Sequence, residues 1–357
     1  MEKTFKFFVI NPGSTSTRVA YYENEKEVQG KKLSHPTKVI AQFKEINDQF
    51  DMRKQMVEEY IEELGITELD AIISRGGGGR PVHTGGYGIT PLMVEECRKA
   101  PWPHASNLGV MISYELMRRF NIPGYIYDAP LADDFSEYAK ISGLPELPTQ
   151  RGAGHTENQK AAGWKIAQKL GGRYEDYNFI ICHLGGGITV NAHERGKITD
   201  SHINAFSPER AGALPMIAFS KMCYSGVWPT FADCFKRQMG NGGLVAYLGT
   251  SDLVEIEKRI DSGDRQAELY FNAMIYQIAK DIGGMAPVMD GDVDRIILTG
   301  EIAHSKRLTG SLIKRVGFIA PVEVVPGAVE IDALVQGVLR ILRNEEELRD
   351  YDTEDNL

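Results

Sequence analysis

Phe5-Lys6-Phe7-Phe8-Val9-Ile10-Asn11-Pro12-Gly13-Ser14-Thr15-Ser16-Thr17-Arg18-Val19 carries an apolar strand into a tight turn crowded with hydroxyls, and the chain leaves that turn as a second strand. A related pattern recurs at Phe179-Ile180-Ile181-Cys182-His183-Leu184-Gly185-Gly186-Gly187-Ile188-Thr189-Val190. In the first turn Gly13 lets the backbone come close to a ligand. Ser14 and Ser16 offer hydroxyls to phosphoryl oxygens, and Arg18 adds a charge-assisted donor. Asn11 can orient a metal-bound water or an acceptor oxygen. In the second, three successive glycines weaken a hairpin unless something bulky and anionic approaches the backbone there. His183 at the strand end can donate to a phosphate or be structural, so the glycines carry the inference. Two phosphate-sized hairpins suggest a duplicated α/β fold holding a nucleotide between its halves, which makes the sequence legible as that of a phosphoryl-transfer enzyme.

Organisation outward from these hairpins agrees with a duplication. Strands are predicted at Lys6–Ile10, Arg18–Glu23, Ala71–Ser74 and Gly124–Tyr127, with helices over Ala41–Leu64 and Ser106–Phe120. The second half repeats hairpin, strand and helix. Its strands are Asn178–Leu184, Ile188–His193, Lys197–Asp200 and Arg295–Thr299. Its helices are His155–Leu170, Asp252–Ile260, Arg265–Ile282 and His304–Val316. The boundary falls in the Gly- and Pro-rich stretch Ile141–Thr156, giving domains 1–150 and 151–328. The amphipathic segment 329–348 presents Ile331, Leu334, Val335, Val338, Leu339 and Leu342 on one face and returns to the first domain.

At 357 residues the chain exceeds what one core usually supports. A net charge of −9 argues against a nucleic-acid groove or an anionic membrane surface as partner. Cys97, Cys182, Cys223 and Cys234 form no CxxC pair and show no zinc spacing, so the expected compartment is the reducing cytoplasm. No apolar run is long enough to span a bilayer, and Asn11-Pro12-Gly13 cuts short any secretion-signal core.

Further chemistry-bearing residues sit at strand ends. Arg75 follows Ala71–Ser74 and precedes Gly76–Gly79, and Arg210 lies in Ser207-Pro208-Glu209-Arg210-Ala211-Gly212. Arginines beside glycine suit planar bidentate binding of carboxylate or phosphate, with a surface ion pair as the plain alternative. Asp128 ends the strand Gly124–Tyr127. Leu298-Thr299-Gly300-Glu301 ends another buried strand and is read as opening a helix, a favourable position for phosphate. Glu301 there either satisfies a helix dipole or holds magnesium through water.

Taken together, these motifs resemble those of the acetate and butyrate kinase family, within the sugar kinase, Hsp70 and actin superfamily, along nearly the whole chain. Asn11-Pro12-Gly13-Ser14-Thr15-Ser16-Thr17 resembles the family's N-terminal phosphate motif. Cys182-His183-Leu184-Gly185-Gly186-Gly187 resembles its second, and Leu298-Thr299-Gly300-Glu301 its adenosine-side motif. The resemblance implies a duplicated ribonuclease H-like, actin-like ATPase fold with two domains around a nucleotide cleft. It implies ATP/ADP and Mg²⁺ as cofactors, a short-chain carboxylate as substrate, and a homo-oligomer. Carried over, Arg75 and Arg210 would hold the acyl carboxylate and the transferring phosphoryl group. Asp128 would orient the magnesium–phosphate assembly, with Asn11 and Glu301 in the metal's outer shell. His155 would stabilise the transition state. His183, Gly185, Gly186, Gly187 and Gly300 would line the nucleotide.

Departures from the acetate kinase pattern point to the butyrate branch. Where acetate kinases carry His-Gly-Gly after the strand arginine, Arg75 leads into Gly76-Gly77-Gly78-Gly79-Arg80-Pro81. Where they carry Phe-His-Gly-Thr-Ser-His, this chain has Gly154-His155-Thr156-Glu157-Asn158-Gln159. The implied reaction is butanoate + ATP ⇌ butanoyl phosphate + ADP by direct in-line transfer. An acetate, propionate or isobutyrate kinase on the same scaffold remains open, as does a sugar kinase using Asp128 as base. An actin- or Hsp70-like ATPase without an acyl acceptor fits less well.

Overall fold

The computed structural model describes residues 3–13, 15–100, 104–130, 132–150, 152, 154–327 and 330–354. The predicted phosphate-turn residue Ser14 lies outside them. The chain divides into two compact units, residues 1–134 with 329–357, and residues 135–328.

The first unit is built on six strands: β1 (Lys6–Pro12), β2 (Ser16–Glu23), β3 (Lys26–Ser34), β4 (Ala71–Ser74), β5 (Gly86–Gly88) and β6 (Gly124–Tyr127). They lie in the order β3-β2-β1-β4-β6-β5. β1, β2 and β3 form an antiparallel meander, β1, β4 and β6 run parallel, and β5 closes the edge antiparallel to β6. The second unit has β7 (Asn178–Leu184), β8 (Ile188–Glu194), β9 (Lys197–His202), β10 (Arg295–Gly300) and β11 (Val322–Pro326), ordered β11-β10-β7-β8-β9. Here too a meander of β7, β8 and β9 is followed by parallel β10 and β11. The second sheet therefore reads third-second-first-fourth-fifth, and the first reads third-second-first-fourth-sixth with β5 added at its edge, a shared core order that matches the expected duplication.

The first strand of each sheet is apolar on both faces because helices cover both faces. In β1, Phe7 and Val9 pack on Leu334, Val335, Val338 and Leu339 of the helix Glu330–Leu342. Phe8 and Ile10 pack with Val57 of the helix Phe50–Glu63 and Leu108 of the helix Ala105–Phe120. In β7, Phe179 and Ile181 meet Ala162 and Ile166 of the helix Thr156–Leu170, while Ile180 and Cys182 face Phe271 and Met274 of the helix Arg265–Met285.

Several local readings shift. The helix expected from residue 41 begins at Phe50, preceded by a 3-10 turn Ile46–Gln49 in which the Asp48 carboxylate accepts from Glu45 N at 3.0 Å. The helix expected to stop at Ile282 runs on to Met285, since a residue at Gly283 or Gly284 would meet open space and nothing forces a turn. β3 carries almost no apolar signal because it is an edge strand exposed along most of its length. The units divide after Asp134 rather than near residue 150. Phe135 packs on Ile198, and Ser136 N donates to Thr199 O at 2.9 Å, which fixes this segment to the second unit. Among the described residues no helix is long and apolar enough to cross a membrane.

Candidate active site

In each unit the predicted residues gather at the carboxyl ends of the parallel strands, where α/β sheets hold their ligands. In the first unit Ile10 pairs with Ser74, and Ser74 with Ile126. Asn11, Arg75 and Asp128 are thus brought to the ends of three neighbouring strands. Arg75 N donates back to Ile10 O at 3.2 Å. Asp128 is 2% exposed and takes φ +47°, an uncommon conformation for a residue with a side chain. It is secured by Gly85, whose N–H donates to Asp128 Oδ1 at 2.9 Å and whose carbonyl accepts from Asp128 N at 2.9 Å. Gly109 lets the helix Ala105–Phe120 approach this edge, because a Cβ there would press on Ser74 and Pro12.

The N-terminal turn is closed by Gly13 N donating to Ser16 O at 2.7 Å. Beneath it lies a residue that carried no sequence signal. Arg53 is 1% exposed and donates to Gly13 O at 2.8 Å, Thr17 Oγ1 at 3.2 Å and Gln49 Oε1 at 2.8 Å. Burial pushes the Arg53 guanidinium down to about 10. Burial, then the Arg53 charge, pushes His35 down to about 4, and His35 Nε2 meets Thr17 Oγ1 at 2.8 Å. Arg18, the charged donor expected of this turn, makes no hydrogen bond to its described residues. Its Nη2 instead meets Glu27 Oε1 on β3 at 2.5 Å, a partly exposed ion pair across the β2–β3 ladder. His104, also missed, stands close enough to Arg75 that burial and then the Arg75 charge lower its pKa.

The second unit brings together His155, His183, Gly185, Gly186, Gly187 and Arg210. The His155 and His183 rings stack with centroids 3.9 Å apart and planes 6° from parallel. A Cβ at Gly185 would stand 3.0 Å from His183 Nε2, so this nitrogen borders the glycine turn. A Cβ at Gly187 would collide with the Arg210 guanidinium, and one at Gly186 would come 3.0 Å from the Glu209 carboxylate. The three glycines therefore leave room for a cation, an anion and an imidazole at one turn.

Arg210 is fixed by its own loop. Its N–H donates to Ser207 Oγ at 3.0 Å, Ser207 Oγ donates to Gly186 O at 2.7 Å, and Arg210 Nη1 donates to Ile203 O at 2.7 Å. Burial lowers the Arg210 pKa, opposed by Glu209.

Gly300 takes φ +90° and touches the Leu184 backbone so closely that no side chain fits. Glu301 opens not an α-helix but a 3-10 turn, Glu301–His304. The helix Lys306–Val316 starts later, capped by Ser305 Oγ accepting from Leu308 N at 3.0 Å. The expected helix N-terminus at Gly300 is thus absent, because Ser305 takes the cap.

Below the glycine turn runs a buried polar chain. His183 Nδ1 meets Asn158 Oδ1 at 2.7 Å, and Thr299 Oγ1 donates to the same oxygen at 3.2 Å. His155 Nδ1 meets Thr189 Oγ1 at 3.1 Å, and Gln159 Nε2 donates to that oxygen at 2.8 Å. Gln159 Oε1 accepts from His193 Nε2 at 2.9 Å, and His193 Nδ1 bonds the Tyr174 hydroxyl. Burial, then the Lys160 charge, pushes His193 down to about 3, so it is neutral. Asn158 and Gln159 were legible only as a family segment, and Thr189 and His193 only as strand residues.

Among the described residues no group of three or more His, Cys, Asp or Glu is placed to hold a metal ion by itself. The oxygen donors of Asp128 and Asn11 in the first unit, and separately of Glu301 in the second, are of the hard kind magnesium takes, an ion that keeps waters and substrate phosphates as ligands and needs only one or two carboxylates.

A model of the acetokinase family matches residues 146–320. The chain is 44% identical over 354 residues to a probable butyrate kinase 2 of Caldanaerobacter subterraneus subsp. tengcongensis, covering 97% of this chain and 99% of that one. It is 41% identical over 355 residues to butyrate kinase 2 of Clostridium acetobutylicum, with 97% and 99% covered. Its structure superposes on the crystal structure of Porphyromonas gingivalis acetate kinase with a TM-score of 0.77 at 19% identity, covering 95% of this chain and 100% of that one. At that identity the likeness establishes the fold, a duplicated actin-like α/β architecture.

Proposed function

The chain belongs to the acetokinase family, and from that premise we propose that it is a short-chain carboxylate kinase catalysing butanoate + ATP ⇌ butanoyl phosphate + ADP. The observation that carries the acyl assignment is identity above 40% with two butyrate kinases over nearly the whole of each chain. Acceptor and donor are the family's carboxylate and ATP.

A carboxylate is already a nucleophile, so no strong base is required. Its oxygen attacks the γ-phosphorus, the bond to the bridging oxygen breaks, and ADP leaves with the electron pair. Catalysis then rests on in-line positioning and on neutralising charge. Arg75 and Arg210 hold the acyl carboxylate and the transferring phosphoryl oxygens. His155 serves the charge that develops in transfer, and His183 with Gly185–Gly187 and Gly13–Ser16 line the phosphates. Asp128 and Asn11, with Glu301, would hold magnesium largely through water; when bound, the metal supplies charge neutralisation at the phosphates.

Self-association completes the proposal. The helices Met216–Tyr224 and Phe231–Gln238 bury none of their residues, although Met216, Ile217, Tyr224 and Phe231 are exposed by 73–94%. A second copy of the chain, presenting the same face, would cover them.

The test is a hydroxamate assay for acyl phosphate with Mg-ATP and acetate, propionate, butyrate or isobutyrate. Butyrate should give the highest kcat/KM, since each methylene in an apolar pocket is worth about 1–3 kcal/mol. A maximum at another acid overturns the chain-length assignment, and no acyl phosphate from any of them overturns the kinase.

A further inference from the structure

We infer that Thr189, held by Gln159 and His193, is a positioning residue that fixes the His155 imidazole for phosphoryl transfer. The inference rests on the proposed role of His155 and adds what orients it.

Donor and acceptor sense is forced along the whole chain of bonds. The Gln159 carbonyl oxygen can only accept, so His193 donates to it from Nε2 at 2.9 Å. His193, fully buried and neutral, then accepts at Nδ1 from the Tyr174 hydroxyl. The Gln159 amide nitrogen can only donate, and it does so to Thr189 Oγ1 at 2.8 Å. Thr189 Oγ1 donates its single proton to the Gly154 carbonyl at 3.1 Å. The His155 contact to the same oxygen at 3.1 Å must therefore be a donation from Nδ1. With Nδ1 donating to the protein, a phosphoryl oxygen can be met only at Nε2, which donates to it once the ring takes a second proton as imidazolium.

The second ring is held the same way. Asn158 Oδ1 takes the proton of His183 Nδ1 at 2.7 Å, while Asn158 Nδ2 donates to Gly327 O at 3.2 Å. Two adjacent residues in the first turn of the helix Thr156–Leu170 thus set both stacked imidazoles. Gln159, Thr189 and His193 are each 0% exposed, so the chain is shielded from water that would otherwise scramble its order. His155 itself takes φ +60°, an arrangement that holds only where its surroundings enforce it.

The test compares Thr189→Val, which removes the hydroxyl at nearly constant shape, with Thr189→Ser, which restores it. Thr189→Val should lower kcat about 10–100-fold with smaller changes in KM, as loss of a supporting hydrogen bond typically does, and Thr189→Ser should recover most of the rate. In a His155→Ala background, Thr189→Val should cost nothing further. Imidazole ¹⁵N spectra should show His155 protonated at Nδ1 in the wild type and redistributed between tautomers in Thr189→Val. Should Thr189→Val fold poorly, Gln159→Met, which leaves the hydroxyl but frees it, should give a loss of the same kind.

A Thr189→Ser variant that folds yet stays as slow as Thr189→Val overturns the proposal. So does an equal loss in both backgrounds, or an unchanged tautomer in Thr189→Val. If His155→Ala alone retains near-normal kcat, the catalytic reading of His155 fails first. The spectra then still decide whether Thr189 holds the ring.

Discussion

Arg210 and Arg18 look alike in sequence, each an arginine close to glycine and serine, yet the structure gives them different surroundings. Arg210 is clamped by Ser207 and Ile203 over Gly187, a geometry that a lysine point charge cannot reproduce. Arg210→Lys should lose about 10³-fold or more in kcat with nucleotide affinity little changed, measured by steady-state kinetics beside calorimetric binding of ADP. Arg18 is spent on Glu27, so Arg18→Ala should leave turnover and nucleotide affinity near wild type, the pair being worth only about 0.2–1 kcal/mol of stability. Buried histidines predict a pH effect of definite sign. His193 titrates near 3 in the folded chain and about 6.5 when unfolded. Below pH 6.5 only the unfolded chain takes up this proton, so stability falls as pH drops from 6.5 toward 3, by about 1.4 kcal/mol per unit. Urea midpoints at pH 7 and pH 5 should show a steeper loss for the wild type than for His193→Gln. Equal slopes would exclude His193 as a source of acid sensitivity.

At the scale of the element, strands proved more legible than their ends. The strands β1, β4, β6, β7, β8 and β10 could be read because a strand buried on both faces is a run of apolar residues, a purely local signal. β3 and β11 could not, since edge strands bury little and their pairing is set by distant partners. The turn after β10 departs from its sequence pattern for a related reason. Gly300-Glu301 has the look of a helix opening, but φ +90° and contact with the Leu184 backbone turn the chain into a 3-10 segment first. Gly300→Ala should therefore cost about 1–3 kcal/mol or more, read from urea midpoints, and should damage nucleotide binding through the displaced end of β7. A variant as stable as wild type would show that this end of the sheet yields.

For the whole molecule, the segment after residue 329 belongs to the first unit, where it covers one face of β1. Leu334 is 0% exposed and packs against Phe7 and Val9, so Leu334→Ala should cost about 2–5 kcal/mol, seen as a lowered unfolding midpoint. Truncation before residue 329 would strip that face entirely. Assembly is predicted at the same scale. Ile217→Glu with Phe231→Glu should reduce the molar mass found by analytical ultracentrifugation without unfolding the chain, because neither residue is buried within it.

Resemblance to a family supplied the candidate roles of Arg75, Asp128, His155, His183 and Arg210, whereas the amino-acid sequence by itself determined the two glycine hairpins and the alternation of strand and helix that duplicates them. These are read from residues adjacent in the chain, through periodicity and turn chemistry. Tertiary structure alone decided that Arg53 supports the first turn from 40 residues away, and that Arg18 pairs with Glu27 of the neighbouring strand. It alone decided that Gln159 and His193 meet 34 residues apart, in the chain of bonds that reaches Thr189 and His155. Such bonds depend on which side chains the packed sheet brings within about 3 Å of one another, and neither composition nor spacing encodes that proximity.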